Sequence, residues 1–178
     1  MTSKSKTKGN SWELEVSKFL SKIYNDSFIR IPSSGAFVGG KNNVRKETLD
    51  KTQIQSKKGD IHPPASWKYW NIECKSYQDF PFHQLWYMDV KILDAWIQQQ
   101  KDVEDKGDLN LILIKISHKE KWVVYPQGLG FETDRYLLYK GWYFVNWNQF
   151  WSVGSNVELV KKYSREGVPF SSVAVATV

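Results

Sequence analysis

Residues 57–77, KKGDIHPPASWKYWNIECKSY, contain the strand around which the predicted fold is arranged. Its second half, WKYWNIECKSY, is rich in aromatic and β-branched side chains, which favour extended structure. Two prolines before it are typical of a break between ordered pieces. Because neighbouring side chains of a strand point to opposite faces, Glu73 and Lys75 share one face while Cys74 lies on the other. The stretch therefore predicts a strand with an apolar face and a charged face.

The sequence on either side of this strand alternates between helical and extended patterns. Apolar residues at helical spacing predict a helix over residues 11–24, and SFIRIP predicts a short strand that ends in an SSG turn. Downstream, a helix is predicted from about Asp89 to Lys106. NLILIKIS and KWVVYP follow as a hairpin, and residues 135–151 add a strand and a short helix. This order predicts an α/β fold with a mixed central sheet flanked by helices.

The length of 178 residues favours one domain with decorated ends. Residues 1–9 are polar and basic and are predicted to form a flexible arm. We expect the folded domain to span residues 10–162, with a basic loop insertion at 38–58. Residues 163–178 lack a clear period and are predicted to be a C-terminal tail.

Composition narrows the class of protein. A hydrophobic content of 41% argues against a disordered chain, and a net charge of +6 favours a polyanionic partner such as nucleic acid. One cysteine, no export signal and no long apolar run predict a protein of the cytoplasm that is not embedded in a membrane. The VGG at 38–40 lacks the Lys-Ser/Thr of a phosphate loop, so no nucleotide cofactor is expected.

Two carboxylates give this stretch its predicted chemistry. Asp60 precedes Glu73 by 13 residues, and the PPAS turn between them would fold Asp60 back beside Glu73. Converging carboxylates repel each other unless a cation lies between them, and hard oxygen ligands suit Mg²⁺ or Mn²⁺. Such an ion would polarise a phosphodiester, and Lys75 would orient the attacking water or stabilise developing charge. By itself, Glu-x-Lys is also typical of a weak surface ion pair.

These residues carry a resemblance to a known nuclease family. GD followed by ECK resembles the Asp…Glu-x-Lys core of the PD-(D/E)-x-K nuclease superfamily, with Gly59 where that motif has proline. KGNSWELEVSKFL at 8–20 and RIPSSG at 30–35 are similar to the start of archaeal-type Holliday junction resolvases. The resemblance spans residues 8–117, implies a restriction-endonuclease-like fold, and is compatible with a phage-encoded enzyme.

The resemblance also implies roles for individual residues. Asp60, Glu73 and the backbone carbonyl of Cys74 would bind metal, Glu13 would complete the acidic cluster, and Lys75 would be catalytic. On the substrate side it implies Lys8 and the turn serines Ser33 and Ser34. Glu13 keeps an alternative role, because a Glu three residues after Asn10 also fits a capping box at a helix start.

The expected substrate is DNA, whose phosphates would be contacted by basic residues: Lys8, Lys41, Arg45, Lys46, Lys57 and Lys58. We expect a homodimeric, metal-dependent endonuclease, most similar to resolvases that act on branched DNA in recombination and repair. The interval of 25 positions from Gly35 to Asp60 is longer than those resolvases usually have. The insertion is therefore either an added DNA clamp or a surface loop without a role. Alternatives are a nuclease of the same core acting on flaps, ends or specific duplex sites, and a non-catalytic DNA-binding module.

Overall fold

The computed structural model of the chain describes residues 4–31, 58–117 and 120–169, and side chains from residue 9 onward within these ranges. The first helix, α1, runs from Lys4 to Tyr24 and buries the predicted apolar stripe. Trp12 donates from Nε1 to the carbonyl of Leu113, 2.9 Å away, which ties α1 to the central sheet. The predicted flexible arm at 1–9 is corrected from Lys4 onward. The segment contains no proline, so its backbone continues the helix toward the N-terminus.

A mixed sheet of five strands lies at the centre of the described residues. The strand predicted in WKYWNIECKSY is β3 (Trp70–Tyr77), which lies at one edge of the sheet and pairs in parallel with β4 (Leu109–Ile116). A 3₁₀ helix (Phe82–Trp86) and α2 (Lys91–Val103) connect them, as a parallel pair requires a crossover. The predicted hairpin of β4 with β5 (Lys121–Pro126) is confirmed. Two further antiparallel strands, β6 (Leu137–Tyr139) and β7 (Trp142–Asn146), complete the strand order β3-β4-β5-β7-β6.

A two-stranded antiparallel sheet lies beside β3. It pairs β1 (Ile29–Arg30) with β2 (Ile61–His62). The backbone N–H of Asp60 donates to the carbonyl of Ile72 at 3.0 Å, and the N–H of Ile31 donates to the carbonyl of Asp60 at 2.9 Å. Asp60 is therefore held between the small sheet and the outer strand of the large one.

Two apolar clusters cover the two faces of the large sheet. On one face, α1 packs with the C-terminal helices α3 (Trp147–Ser152) and α4 (Gly154–Glu166) against the side of β3 that carries Cys74. On the other face, α2 packs against Ile112 and Ile114 of β4. Among the described helices, none is long and apolar enough to cross a membrane.

The predicted boundary at residue 163 is also corrected. Helix α4 continues to Glu166, and its apolar positions 157, 160 and 163 follow helical spacing. The N–H of Tyr69 donates to the carbonyl of Ser164, and the N–H of Val168 donates to the carbonyl of Gly107. The folded domain therefore includes residues 163–169, because this segment is hydrogen-bonded to loops at the N-terminal ends of β3 and β4.

Candidate active site

Asp60 enters the site through a backbone turn that only glycine adopts easily. Gly59 has a φ of +71°, and a Cβ there would lie 2.4 Å from the carbonyl oxygen of Ile72. This turn brings the Asp60 carboxylate against β3, where its Oδ2 accepts from the N–H of Cys74 at 2.8 Å. The close approach explains why glycine stands where the nuclease motif has proline: the backbone of residue 59 touches the neighbouring strand.

Glu73 and Lys75 share one face of β3, as predicted, and they are joined. Lys75 donates from Nζ to Glu73 Oε2 at 2.9 Å and to Gln99 Oε1 of α2 at 3.0 Å. Glu73 is only 4% exposed, and the side chain of Lys75 is 16% exposed. The pair is therefore not a weak surface ion pair but a largely dehydrated one with a fixed geometry.

The electrostatics show that Asp60 and Glu73 are close together. The pKa of Glu73 is raised to about 7, chiefly by burial and then by the negative charge of Asp60, while the charge of Lys75 and its hydrogen bond partly oppose this shift. Two carboxyl groups in contact in a poorly hydrated site favour one shared proton or a cation between them. A perturbed carboxyl pair of this kind is typical of functional sites.

Glu13 lies in the interior of α1, so the capping-box interpretation is wrong. The helix begins at Lys4, and Asn10 accepts from Arg30 Nη2 at 2.7 Å instead of capping a helix end. Arg30 also donates from Nε to Glu13 Oε2 at 2.6 Å. Burial raises the pKa of Glu13, the hydrogen bond from Arg30 lowers it, and the charge of Asp60 raises it. Glu13 therefore lies within electrostatic reach of the carboxyl pair while it is bound to an arginine.

The donor set suits a hard divalent cation. Asp60 and Glu73 offer carboxylate oxygens. Since the N–H of Cys74 points to Asp60, and the N–H and C=O of a strand residue point to the same side, the Cys74 carbonyl faces this edge as well. Across residues 9–31, 58–117 and 120–169, no three or more His, Cys, Asp or Glu side chains are grouped to hold a metal ion. The structure thus brings Asp60 and Glu73 together but does not add Glu13 to them as a third ligand, and its role as a ligand stays a prediction.

The thiol of Cys74 takes no part in this chemistry. It belongs to the apolar cluster on the opposite face of the sheet, and its burial raises the pKa of the thiol. A thiol with a raised pKa in an apolar environment is a poor nucleophile.

Lys58 requires a correction to the predicted set of phosphate-contacting residues. Its side chain is 4% exposed and forms ion pairs with Asp105 and Asp108 in the turn before β4. Both acidic partners lie beyond α2 in the sequence, so no local pattern indicates the pairing. A buried cation that neutralises two carboxylates is not available to a DNA backbone, so Lys58 fixes the chain next to Gly59 instead.

Several predicted site residues lie outside the described part of the chain: Ser33, Ser34, Lys41, Arg45, Lys46 and Lys57. Lys8 lies within α1, and its side chain is outside the described side chains. These residues, and the basic loop as a whole, stay predictions.

Sequence reasoning missed two polar partners in the site, Arg30 and Gln99. Arg30 is the one polar residue of the two-residue strand β1, and Gln99 is one of three consecutive glutamines in α2. For Gln99 the sequence offers only its position in a helix, near Trp96 and Gln100. In the structure those two residues are buried. Neither signal indicates a partner 17 or 24 residues away in the chain.

Comparison with known proteins identifies a family. The family model described as "Phage putative PDDEXK endonuclease" matches residues 4–132, which is well over half of the chain. No curated protein and no solved structure matches. The matched region contains α1, the carboxyl pair and strands β1 to β5. Together with the mixed sheet between helices, the match confirms the predicted restriction-endonuclease-like fold.

Proposed function

The chain belongs to the phage PDDEXK endonuclease family, and from this premise we infer that it is a metal-dependent nuclease that hydrolyses branched DNA. The observation that carries the inference is the contact between Asp60 and Glu73, with Lys75 bound to Glu73. The same contact disfavours a purely DNA-binding module, because a buried, mutually repelling carboxyl pair opposes folding unless it is used.

Asp60, Glu73 and the Cys74 carbonyl would hold Mg²⁺ or Mn²⁺. When bound, the ion supplies charge for the phosphoryl oxygens and makes a bound water more acidic. The carboxylates would orient it at the edge of β3, where the hydrogen bond from the Cys74 N–H fixes the position of Asp60 Oδ2. Burial of the pair excludes bulk water, which strengthens the electrostatic interactions at the site.

Lys75 would act on the nucleophile or on the phosphate. An ammonium group has three donors, and within the described residues Glu73 and Gln99 accept from two of them. The third donor is left for an attacking water or for a non-bridging phosphate oxygen whose charge grows in the transition state. Gln99 would be a positioning residue, because its side-chain oxygen accepts from Lys75 and so helps to fix the ammonium group. Glu13 would contribute negative charge near Asp60 and orient Arg30.

The preference for four-way junctions is supported by the likeness of residues 8–35 to resolvases, and a homodimer would supply one site for each strand that is cut. Basic residues of the arm and of the 41–57 segment would neutralise phosphates, so binding should weaken steeply with salt. A nuclease acting on flaps, ends or specific duplex sites is the second candidate, and the long interval between Gly35 and Asp60 favours it. A cytoplasmic location likewise stays a prediction.

Cleavage of defined DNA substrates tests the proposal. Junction, fork, linear duplex and single-stranded DNA are incubated with Mg²⁺ and either the wild type or Asp60→Asn. We expect paired nicks in the junction by the wild type and none by Asp60→Asn, with Arg165→Gln, an exposed residue of α4 on the opposite face of the sheet from Glu73, as an active control. Equal cutting of all duplexes would favour the second candidate. Undiminished cutting by Asp60→Asn would contradict the site, and cutting of nothing by the wild type would contradict the nuclease.

A further inference from the structure

A cavity of about 450 Å³ opens at the far end of the sheet from β3. Its floor is formed by Trp122 of β5, Leu137 of β6 and Phe144 of β7. These three side chains pack with the cluster under α2, which places the cavity on the same face of the sheet as Glu73 and Lys75. The volume lies within the roughly 300–1,000 Å³ of small-molecule sites. Much of the lining comes from residues 135–149, beyond the region that the family model matches.

The walls of the cavity are aromatic. The ring of Trp122 lies 5.2 Å from that of Phe144 at an angle of 52°. Tyr136 stands at the rim, 51% exposed, with an edge contact of 4.6 Å to the ring of Tyr143. The rings of Trp122 and Tyr136 therefore give the cavity faces for stacking.

The rim also carries the positive charge of Arg135. Arg135 is exposed, and among the described residues no carboxylate pairs with its guanidinium. The side-chain amide of Gln149 holds the backbone of Arg135. In the orientation that satisfies its neighbours, its NH₂ donates to the Arg135 carbonyl and its oxygen accepts from the Arg135 N–H. The carboxylate of Glu120 is partly occupied, since it accepts from Asn146 at 3.1 Å. An exposed guanidinium on a fixed backbone favours an anionic ligand at the rim.

We propose that this cavity binds one unpaired nucleotide of the DNA substrate, with the base against the aromatic lining and the phosphate on Arg135. The proposal rests on the proposed function, because DNA is the ligand that a nuclease brings to this face. The half-buried ring of Trp122 and the exposed ring of Tyr136 can recognise any base by stacking, and an arginine at the mouth recognises a phosphate. Distorted or branched DNA offers such a nucleotide at low cost, because its bases are already partly unstacked. The cavity would therefore favour such DNA over regular duplex.

Binding measured without cleavage tests the site. The parent is Asp60→Asn in EDTA, which keeps the DNA intact. Fluorescence anisotropy compares a labelled duplex containing one extrahelical 2-aminopurine with its fully paired counterpart. We expect the parent to bind the bulged duplex about tenfold tighter, since one base stacked on aromatic side chains contributes on this order. The 2-aminopurine emission should fall as the base stacks.

Two variants and two matched controls identify the residues. Arg135→Gln and Tyr136→Leu should bring the affinity ratio close to one, and Tyr136→Leu keeps apolar volume so that folding is preserved. Arg165→Gln and Tyr87→Ala remove the same residue types elsewhere and should keep the ratio. Circular dichroism and thermal melting verify that each variant is folded.

Unchanged ratios in both cavity variants would overturn the proposal. It would also be overturned if sedimentation showed that Tyr136→Leu changes the oligomeric state while DNA discrimination persists, because the cavity would then contact protein. Cleavage by the wild type with Mg²⁺ separates this result from the proposed function. If the wild type cuts DNA but both cavity variants keep the affinity ratio of the parent, only the proposed nucleotide site is contradicted. If both variants lose the ratio but the wild type cuts nothing, only the proposed nuclease activity is contradicted.

Discussion

Replacement of Glu73 by glutamine should stabilise the metal-free protein at alkaline pH. The pKa of Glu73 is raised to about 7 in the folded chain, from an ordinary value of 4.5, chiefly by burial and then by the charge of Asp60. A raised carboxyl pKa means that the folded state holds this proton more tightly than the unfolded state does. Its stabilising contribution is therefore complete below pH 4.5 and is lost as the pH rises to about 7.

The size of the effect follows from the same values. One pKa unit corresponds to about 1.4 kcal/mol, so ionisation of Glu73 lowers the free energy of unfolding by up to about 3 kcal/mol above pH 7. Glutamine keeps the shape but cannot ionise, so Glu73→Gln avoids this loss. For a protein of this size, about 3 kcal/mol corresponds to roughly 6–12 °C in Tm.

Thermal unfolding in EDTA at pH 5 and pH 8 measures the difference. Glu73→Gln should melt above the wild type at pH 8, with a smaller difference at pH 5, while the exposed Glu158→Gln should follow the wild type at both. Mg²⁺ should then raise the Tm of the wild type more than that of Glu73→Gln. A variant that is less stable than the wild type at pH 8, or a difference independent of pH, would refute the reasoning about the carboxyl pair.

Three further substitutions test the surrounding structure. Gly59→Ala should cost about 2 kcal/mol or more and abolish cleavage, because it forces a side chain into a positive φ and against the carbonyl of Ile72; near wild-type urea stability would contradict this. Lys58→Met should lower the free energy of unfolding in urea by about 3–5 kcal/mol, because it leaves Asp108 buried without its cation. Lys162→Met, at an exposed position, is the control. Equal stability of the two variants would contradict a structural role for buried Lys58. Glu13→Gln should change stability by less than about 1 kcal/mol, since Glu13 is not a cap, yet reduce cleavage per folded molecule; full activity would exclude Glu13 from the site.

The fold was predictable where periodic patterns are long. The helix ending near Tyr24, the strand from Trp70 and the hairpin of β4 and β5 all follow from local spacing of apolar residues. Helix α4 was missed although its apolar positions are helically spaced, because its many polar residues and the preceding turn weaken the pattern. The start of α1 was misplaced because a polar, basic segment carries no apolar stripe to mark it.

The site was predictable in part for the same reason. A strand has a period of two, so Glu73 and Lys75 must share a face whatever surrounds them. The contact of Asp60 with that face was expected from a motif, but the structure supplies its cause, which is the left-handed Gly59 pressed against Ile72.

By itself, then, the sequence determined which side chains of β3 lie together, because alternation along a strand is a local property of the backbone. Only the tertiary structure decided which residues from elsewhere meet them. Arg30 binds Glu13, Gln99 binds Lys75, and Lys58 is buried by acidic residues 47 and 50 positions away. Such pairs depend on how helices and loops pack around the sheet. Lys57 and Lys58 are adjacent and both were predicted to contact DNA, yet Lys58 is buried in ion pairs. The sequence alone does not distinguish the two lysines, because their packing is decided by distant residues.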